Sequence, residues 1–199
     1  MDAIGEWDTV SISKGYNQKC IERMESIKYP HSLGILYSAF TERCGLKPAE
    51  EEYILMGMAA YGTPKYKDDI YKDFVKRNPF RMKRNLHKGI GDWHPEADVM
   101  DLAASVQAVT EECLTDLWIR ASKYAGFGNK NLVYAGGVAL NCVANGKLLE
   151  EKIFDNIFIT IFFIRIIKIY LCIKFQTIIC KNFSQSTKKT LPESCPDHH

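Results

Sequence analysis

The stretch NLVYAGGVALNCVANGKLLEEKIFDNIFI, residues 131–159, decides the fold class. LVYA (132–135) is an apolar run of the kind that fills a buried strand, and GG (136–137) is a turn. VALNCVANGKLLEEK (138–152) spaces its apolar residues as a helix, and IFDNIFI (153–159) is a second strand. Strand, glycine turn, helix and strand in that order predict a right-handed crossover between parallel strands, hence an α/β fold. Glycines at such a turn let backbone approach a ligand closely, and free amides at a helix start favour phosphate. Asn141, one turn into the predicted helix, offers an amide to a base or a ribose. The string lacks the third glycine of a dinucleotide fingerprint and the Lys-Ser/Thr of a P-loop. A tight turn that simply holds helix against sheet therefore stays open as the alternative.

Upstream, Leu102, Val106, Val109, Cys113, Leu117, Ala121 and Tyr124 step by three or four residues. They predict one long helix over 96–125, with Pro95 near its first turn and Glu96, Asp98 and Asp101 at its positive end. Shorter helices are predicted from His31 to Cys44, before Gly45 and Pro48, and over EEYILMGMAAYG (51–62), before Pro64. Val10 and Ile12 share one face of a strand within 1–14. Residues 65–94 read as a polar excursion, with six basic residues and no acid between Phe74 and Lys88. No aromatic ladder is interleaved, so a solvated, poorly packed face is expected rather than a patch for phosphate or RNA.

His31, His87 and His94 fall at no metal-ligand spacing, and no metal site is predicted. Glu52 precedes a Met-Gly-Met-Ala run in which Gly57 allows either a close helix crossing or ligand contact. No Ser/His/Asp or Cys/His arrangement assembles, and Cys142 is expected as a small buried hydrophobe rather than a nucleophile. Seven cysteines without a Cys-x-x-Cys pair, and an acidic start (Asp2, Glu6, Asp8) without a secretory signal, predict free thiols in a reducing, cytoplasmic setting.

Of 199 residues, 46% are apolar and 25% charged, with 26 Lys+Arg against 24 Asp+Glu. This composition suits one folded domain plus an appendage and excludes collagen-like, disulfide-scaffold and wholly disordered classes. A net charge of +2 is too small to argue for nucleic acid or an anionic membrane. The averages conceal a seam: residues 160–199 hold 6 Lys+Arg against 2 Asp+Glu, no Gly, Ala, Val, Met or Trp, and eight Ile between Thr160 and Phe183. The expected organisation is a folded body over 1–159 and an unrelated Ile/Phe/Lys-rich tail over 160–199, which resembles translated A+T-rich non-coding sequence. Residues 157–179 have the length of a membrane span. Arg165, Lys168 and Lys174 lie within it, each costing about 2.5–3.5 kcal/mol near a bilayer centre, so insertion is not expected.

DAIGEW (2–7), YPHSLGILYSAFT (29–41), EEYILMGMAAYGTPKY (51–66) and the 131–159 string occur in this order. The series resembles the O-carbamoyltransferase family, which includes nodulation-factor carbamoyltransferases and those tailoring cephamycin and tobramycin antibiotics. The resemblance covers residues 1–159. It implies that 1–159 is a partial catalytic domain, a fragment of a two-lobed α/β domain of the actin/sugar-kinase (ribonuclease H-like) type. It also implies an enzyme that makes carbamoyl-adenylate from carbamoyl phosphate and ATP. The carbamoyl group then passes to a hydroxyl of a sugar or other small metabolite, with no nucleic acid as partner. By the same resemblance Asp2 and Gly5 belong to a phosphate-side loop, Glu52 and Gly57 lie on the ribose side, and Gly136, Gly137 and Asn141 hold the adenylate. The family's iron ion would be bound by a histidine pair and an acidic loop outside this chain, and its adenylate-forming domain is also expected elsewhere. Little or no turnover by the chain alone follows. Ala3 stands where glycine is usual, Glu51 and Ile54 replace the glycine and lysine of Gly-Glu-Tyr-Lys, and Ala60 replaces a proline. The alternatives are a non-catalytic nucleotide-binding protein and a membrane-anchored fragment through 157–179.

Overall fold

The computed structural model describes residues 7–16, 20–126, 130–160 and 177–181. β1 (Asp8–Tyr16) and β2 (Cys20–Lys28) form an antiparallel hairpin. Val10 and Ile12 are buried on β1, as their alternation predicts. β2 goes unpredicted because CIERMESIK has no continuous apolar face, and Ile27 is its one buried residue.

α1 (Leu33–Arg43) starts where the Ser32 hydroxyl accepts from the Ile35 N–H at 3.2 Å, and it buries Leu33, Leu36 and Phe40. α2 (Glu52–Met58) continues into a single 3-10 turn, Ala59–Tyr61. Then follow α3 (Lys67–Asp73), a two-residue hairpin of β3 (Val75–Lys76) and β4 (Arg81–Met82), and the 27-residue α4 (Val99–Ala125). α4 begins at Asp98, whose carboxylate accepts from the Met100 N–H at 2.7 Å, so Pro95 and Glu96 precede the helix instead of forming its first turn. At ~1.5 Å per residue it is about 40 Å long. Its buried stripe, from Leu102 through Trp118 to Ala125, packs against α1, α2, α3 and β1.

Residues 65–94 do not form the loosely packed face expected of them. Ile70, Phe74, Val75, Phe80, Met82 and Leu86 are all buried. Phe40, Phe74 and Trp93 meet edge to face at centroid distances of 5.1–6.0 Å. The basic side chains do point outward, Lys76, Arg77, Lys83, Arg84 and Lys88 being exposed. Apolar residues spread over a short helix, a minimal hairpin and a turn carry neither a helical nor a strand period, so composition dominates the reading and the small core is hidden.

β5 (Asn131–Ala135) and β6 (Asn156–Thr160) are parallel, with Asn131 opposite Asn156 and Ala135 opposite Thr160. The predicted strand–helix–strand connection between parallel strands is present, but its helix is divided into a 3-10 turn, Gly137–Leu140, and α5 (Cys142–Glu150). β7 (Thr177–Lys181) runs parallel to β1 and antiparallel to β5, which sets the sheet order β2-β1-β7-β5-β6. A strand from the compositionally distinct tail thus occupies the middle of the sheet. The α/β class is confirmed. Among the described residues no helix is long and apolar enough to cross a membrane; the 157–179 stretch is represented there by parts of β6 and β7. Cys44, Cys113 and Cys142 are free, whereas Cys20 is disulfide-bonded, contrary to the expectation of free thiols throughout.

Candidate functional site

Gly136 has φ 111°, a backbone conformation that side chains rarely adopt. At Gly137 an added Cβ would meet nothing within 4 Å, so this glycine faces open space. Asn141 is not one turn into a helix but caps α5: its Oδ1 accepts from the Ala144 N–H at 3.0 Å. It also pairs reciprocally with Gln107 of α4. Asn141 Nδ2 donates to Gln107 Oε1 at 2.9 Å, and Gln107 Nε2 donates to Asn141 Oδ1 at 3.1 Å. Gln107 is only 5% exposed, and its remaining capacity is taken by Tyr37, whose hydroxyl donates to Oε1 at 2.8 Å, and by Glu111 Oε1, which accepts from Nε2 at 2.7 Å. All four hydrogen-bonding positions of this buried amide are filled.

Glu52 approaches the corner from α2. Its Oε1 accepts from the Ser38 hydroxyl and the Ala49 N–H, both at 2.6 Å, and Oε2 has no partner among the described residues. Met56 Sδ lies 3.8 Å from Cys142 Sγ, which brings α2 against the start of α5. Cys142 is exposed, not the buried hydrophobe expected, because the helix cap turns it outward. Tyr37 lies beneath: burial first, then the nearby carboxylates of Glu111 and Glu52, push its phenol far above the ordinary value, so it stays a proton donor. Glu52, Tyr37, Gln107 and Asn141 therefore form one corner, with Gly136–Gly137 a few residues before Asn141. Gly57 is exposed on α2 with no atom within 4 Å of an added Cβ. Asp2 and Gly5 lie outside the described residues. The sequence reading missed Tyr37, Gln107 and Glu111, although a glutamine beside an apolar helical stripe was a usable signal, since buried polar residues are the informative ones.

Among the described residues no group of three or more His, Cys, Asp or Glu is placed to hold a metal ion. These side chains do not fit the iron that the resemblance implies, and no step is assigned to it.

The loop after α2 is clasped to α4. Asp101 Oδ1 accepts from the Thr63 N–H at 2.8 Å and from its hydroxyl at 3.1 Å, while Lys65 Nζ donates to Oδ2 at 2.5 Å. The Lys65 bond first, then the Thr63 amide, hold the Asp101 carboxyl below its usual range. A depressed carboxylate contributes stability above its unfolded pKa and loses it as pH falls through the folded value. Asp101→Asn should therefore lower stability at neutral pH, and the deficit should shrink as pH drops below about 4. Urea midpoints of the two proteins across pH 2–7 check this; a deficit independent of pH would contradict it.

Comparison with known proteins adds the family. A family model described as Carbamoyltransferase N-terminus matches residues 1–163. Protein sll1178 of Synechocystis sp., itself uncharacterized, is 42% identical over 182 residues, 80% of this chain and 29% of that protein. Nodulation protein NolO of Bradyrhizobium diazoefficiens is 30% identical over 156 residues, 70% of this chain and 27% of its own length. Nodulation protein NolNO of Sinorhizobium fredii is 31% identical over 140 residues, 64% of this chain and 20% of its own. The chain thus spans between 20% and 29% of the length of these relatives.

Proposed function

The chain belongs to the carbamoyltransferase family, and on that premise we propose that its corner of Glu52, Tyr37, Gln107 and Asn141 holds the adenylate in an enzyme that carbamoylates a hydroxyl group. The carbamoyl donor is carbamoyl-adenylate, drawn from carbamoyl phosphate and ATP, and the acceptor is a sugar or other small metabolite. The acceptor hydroxyl gives up its proton to a general base as its oxygen attacks the carbamoyl carbon, the bond from that carbon to the phosphate oxygen breaks, and AMP departs with the electron pair of that bond. Such a donor carries its own leaving group, so the protein's work is to position it, steady the developing oxyanion and exclude water. Glu52 Oε2 accepts from ribose hydroxyls, and the backbone at Gly136–Gly137 meets the phosphate side. Tyr37 and Gln107 orient Asn141, whose second Nδ2 hydrogen remains for the ligand. The corner forms one inner wall of a two-lobed, actin-like domain, and carbamoyl transfer is proposed for a complete enzyme of the relatives' length.

The observation that carries this reading is the hydrogen-bonded chain that runs from Glu52 of α2 to Ser38 of α1, and from Tyr37 of α1 through Gln107 of α4 to Asn141 at the start of α5, in a chain matched by the family over 1–163. Gly137→Val tests it, because the position has no strained φ and faces open space. ATP binding to the full chain, followed by ligand-observed NMR, should weaken about tenfold or more, which is ~1.4 kcal/mol. The thermal midpoint should stay put. Undiminished ATP binding by the variant, or none by the wild-type chain, would overturn the reading.

A further inference from the structure

Two large exposed side chains bracket a position that has no side chain at all. Tyr53 and Gly57 stand one turn apart on α2, and Tyr61 ends the 3-10 turn that continues it. Tyr53 is 67% exposed and Tyr61 83%. An added Cβ at Gly57 would meet nothing within 4 Å. Single exposed aromatics are ordinary on a protein surface. These two differ because the backbone that carries them is anchored at both ends. Glu52 is bonded to Ser38 and Ala49 at the start. Gly62, directly after Tyr61, is pressed against the Met100 carbonyl, and Thr63 is bonded to Asp101. A ligand meeting the two rings finds their backbone already ordered, so little chain entropy is lost on binding.

We infer that the Tyr53–Gly57–Tyr61 notch receives the planar base of the nucleotide whose ribose meets Glu52; the inference rests on the nucleotide reading above. A base presents a π-face that a phenol ring can cover whatever groups line its edge, and Gly57 removes the methyl that would hold that ring off the helix. Met56, the neighbour of Gly57, is the residue that reaches Cys142 at the start of α5. The notch and the capped end of α5 therefore flank the same turn of α2.

The test is titration of the full 199-residue chain with ATP, read by saturation-transfer NMR, and separately with inorganic tripolyphosphate, read by phosphorus-31 line broadening. The adenine ring protons should take up more saturation than the ribose protons. Tyr53→Ala and Tyr61→Ala should each weaken ATP binding about tenfold, the phenylalanine variants should stay within about twofold, and tripolyphosphate should bind all of them alike. Unchanged thermal midpoints show that these surface variants fold. Wild-type ATP affinity in both alanine variants overturns the inference and leaves the nucleotide reading standing. Equal losses for ATP and tripolyphosphate also overturn it, since a stacked base would be felt by ATP alone. No ATP binding by the wild-type chain overturns both.

Discussion

Gly62→Ala is expected to cost about 3 kcal/mol of folding stability, near the upper end for overpacking, because the new methyl has nowhere to go. Its Cβ would stand 2.0 Å from the Met100 carbonyl oxygen, 2.2 Å from the carbonyl carbon and 2.7 Å from the Asp101 nitrogen. All three are backbone atoms in the first turn of α4, so no side chain can swing aside. Gly62 itself has φ −106° and ψ 178°, which any residue adopts, and the cost is therefore steric alone. Relief requires the 62–66 loop to lift, which also breaks the Thr63 and Lys65 bonds to Asp101 and the bond from the Tyr66 N–H to the Ser105 hydroxyl. For a domain of this size the midpoint of thermal unfolding should fall by roughly 6–12 °C. Gly57→Ala is the matched control. It sits in a helix with open space around it and should gain roughly 0.5–1 kcal/mol. Equal midpoints for the two variants would show that the clasp is not formed in solution.

The second large effect is expected at the amide pair. Asn141→Ala removes the cap of α5, worth about 1 kcal/mol, and strips the buried Gln107 amide of a donor and an acceptor, at about 1–3 kcal/mol more. A total of about 2–4 kcal/mol follows, read from urea unfolding. Gln107→Ala should cost a similar amount by leaving the Tyr37 hydroxyl and Asn141 Nδ2 without their partner. The double variant should cost less than the sum by about 1–2 kcal/mol, since both single changes break the same two bonds. Strictly additive losses would mean that the amides are not paired. The same cycle read by ATP binding separates positioning from contact: Gln107 is buried and reaches the ligand through the side chains it orients, Asn141 and Tyr37.

Much of the fold was legible because the relevant signals are local. LVYA and IFDNIFI are short apolar runs on either side of a helical pattern, and they became the parallel strands β5 and β6. The apolar stripe from Leu102 to Tyr124 became α4 with its start displaced, because Asp98, not Pro95, supplies the cap. β2 and the small core around Phe74 and Trp93 were not legible. Their burial comes from what lies across from them, with Ile27 facing the core beside β1 and Phe74 meeting Phe40 of α1. No residue spacing within either segment records that.

At the candidate site the sequence alone determined residue types and order: glycines after a strand, an asparagine five residues after the first of them, and a glutamate opening an earlier helix. Those features, with the strings around them, were enough for the family. Tertiary structure decided what the residues do to one another. It made Asn141 a cap and a partner of Gln107, turned Cys142 outward, and joined Glu52 to the same corner through Ser38, the neighbour of Tyr37 on α1. The physical reason is that hydrogen-bond capacity is finite and directional. Whether an amide is free for a ligand depends on which donors and acceptors the fold brings within about 3 Å of it, and beside the local partners Ala144 and Glu111 these come from residues 34 and 70 positions away in the chain.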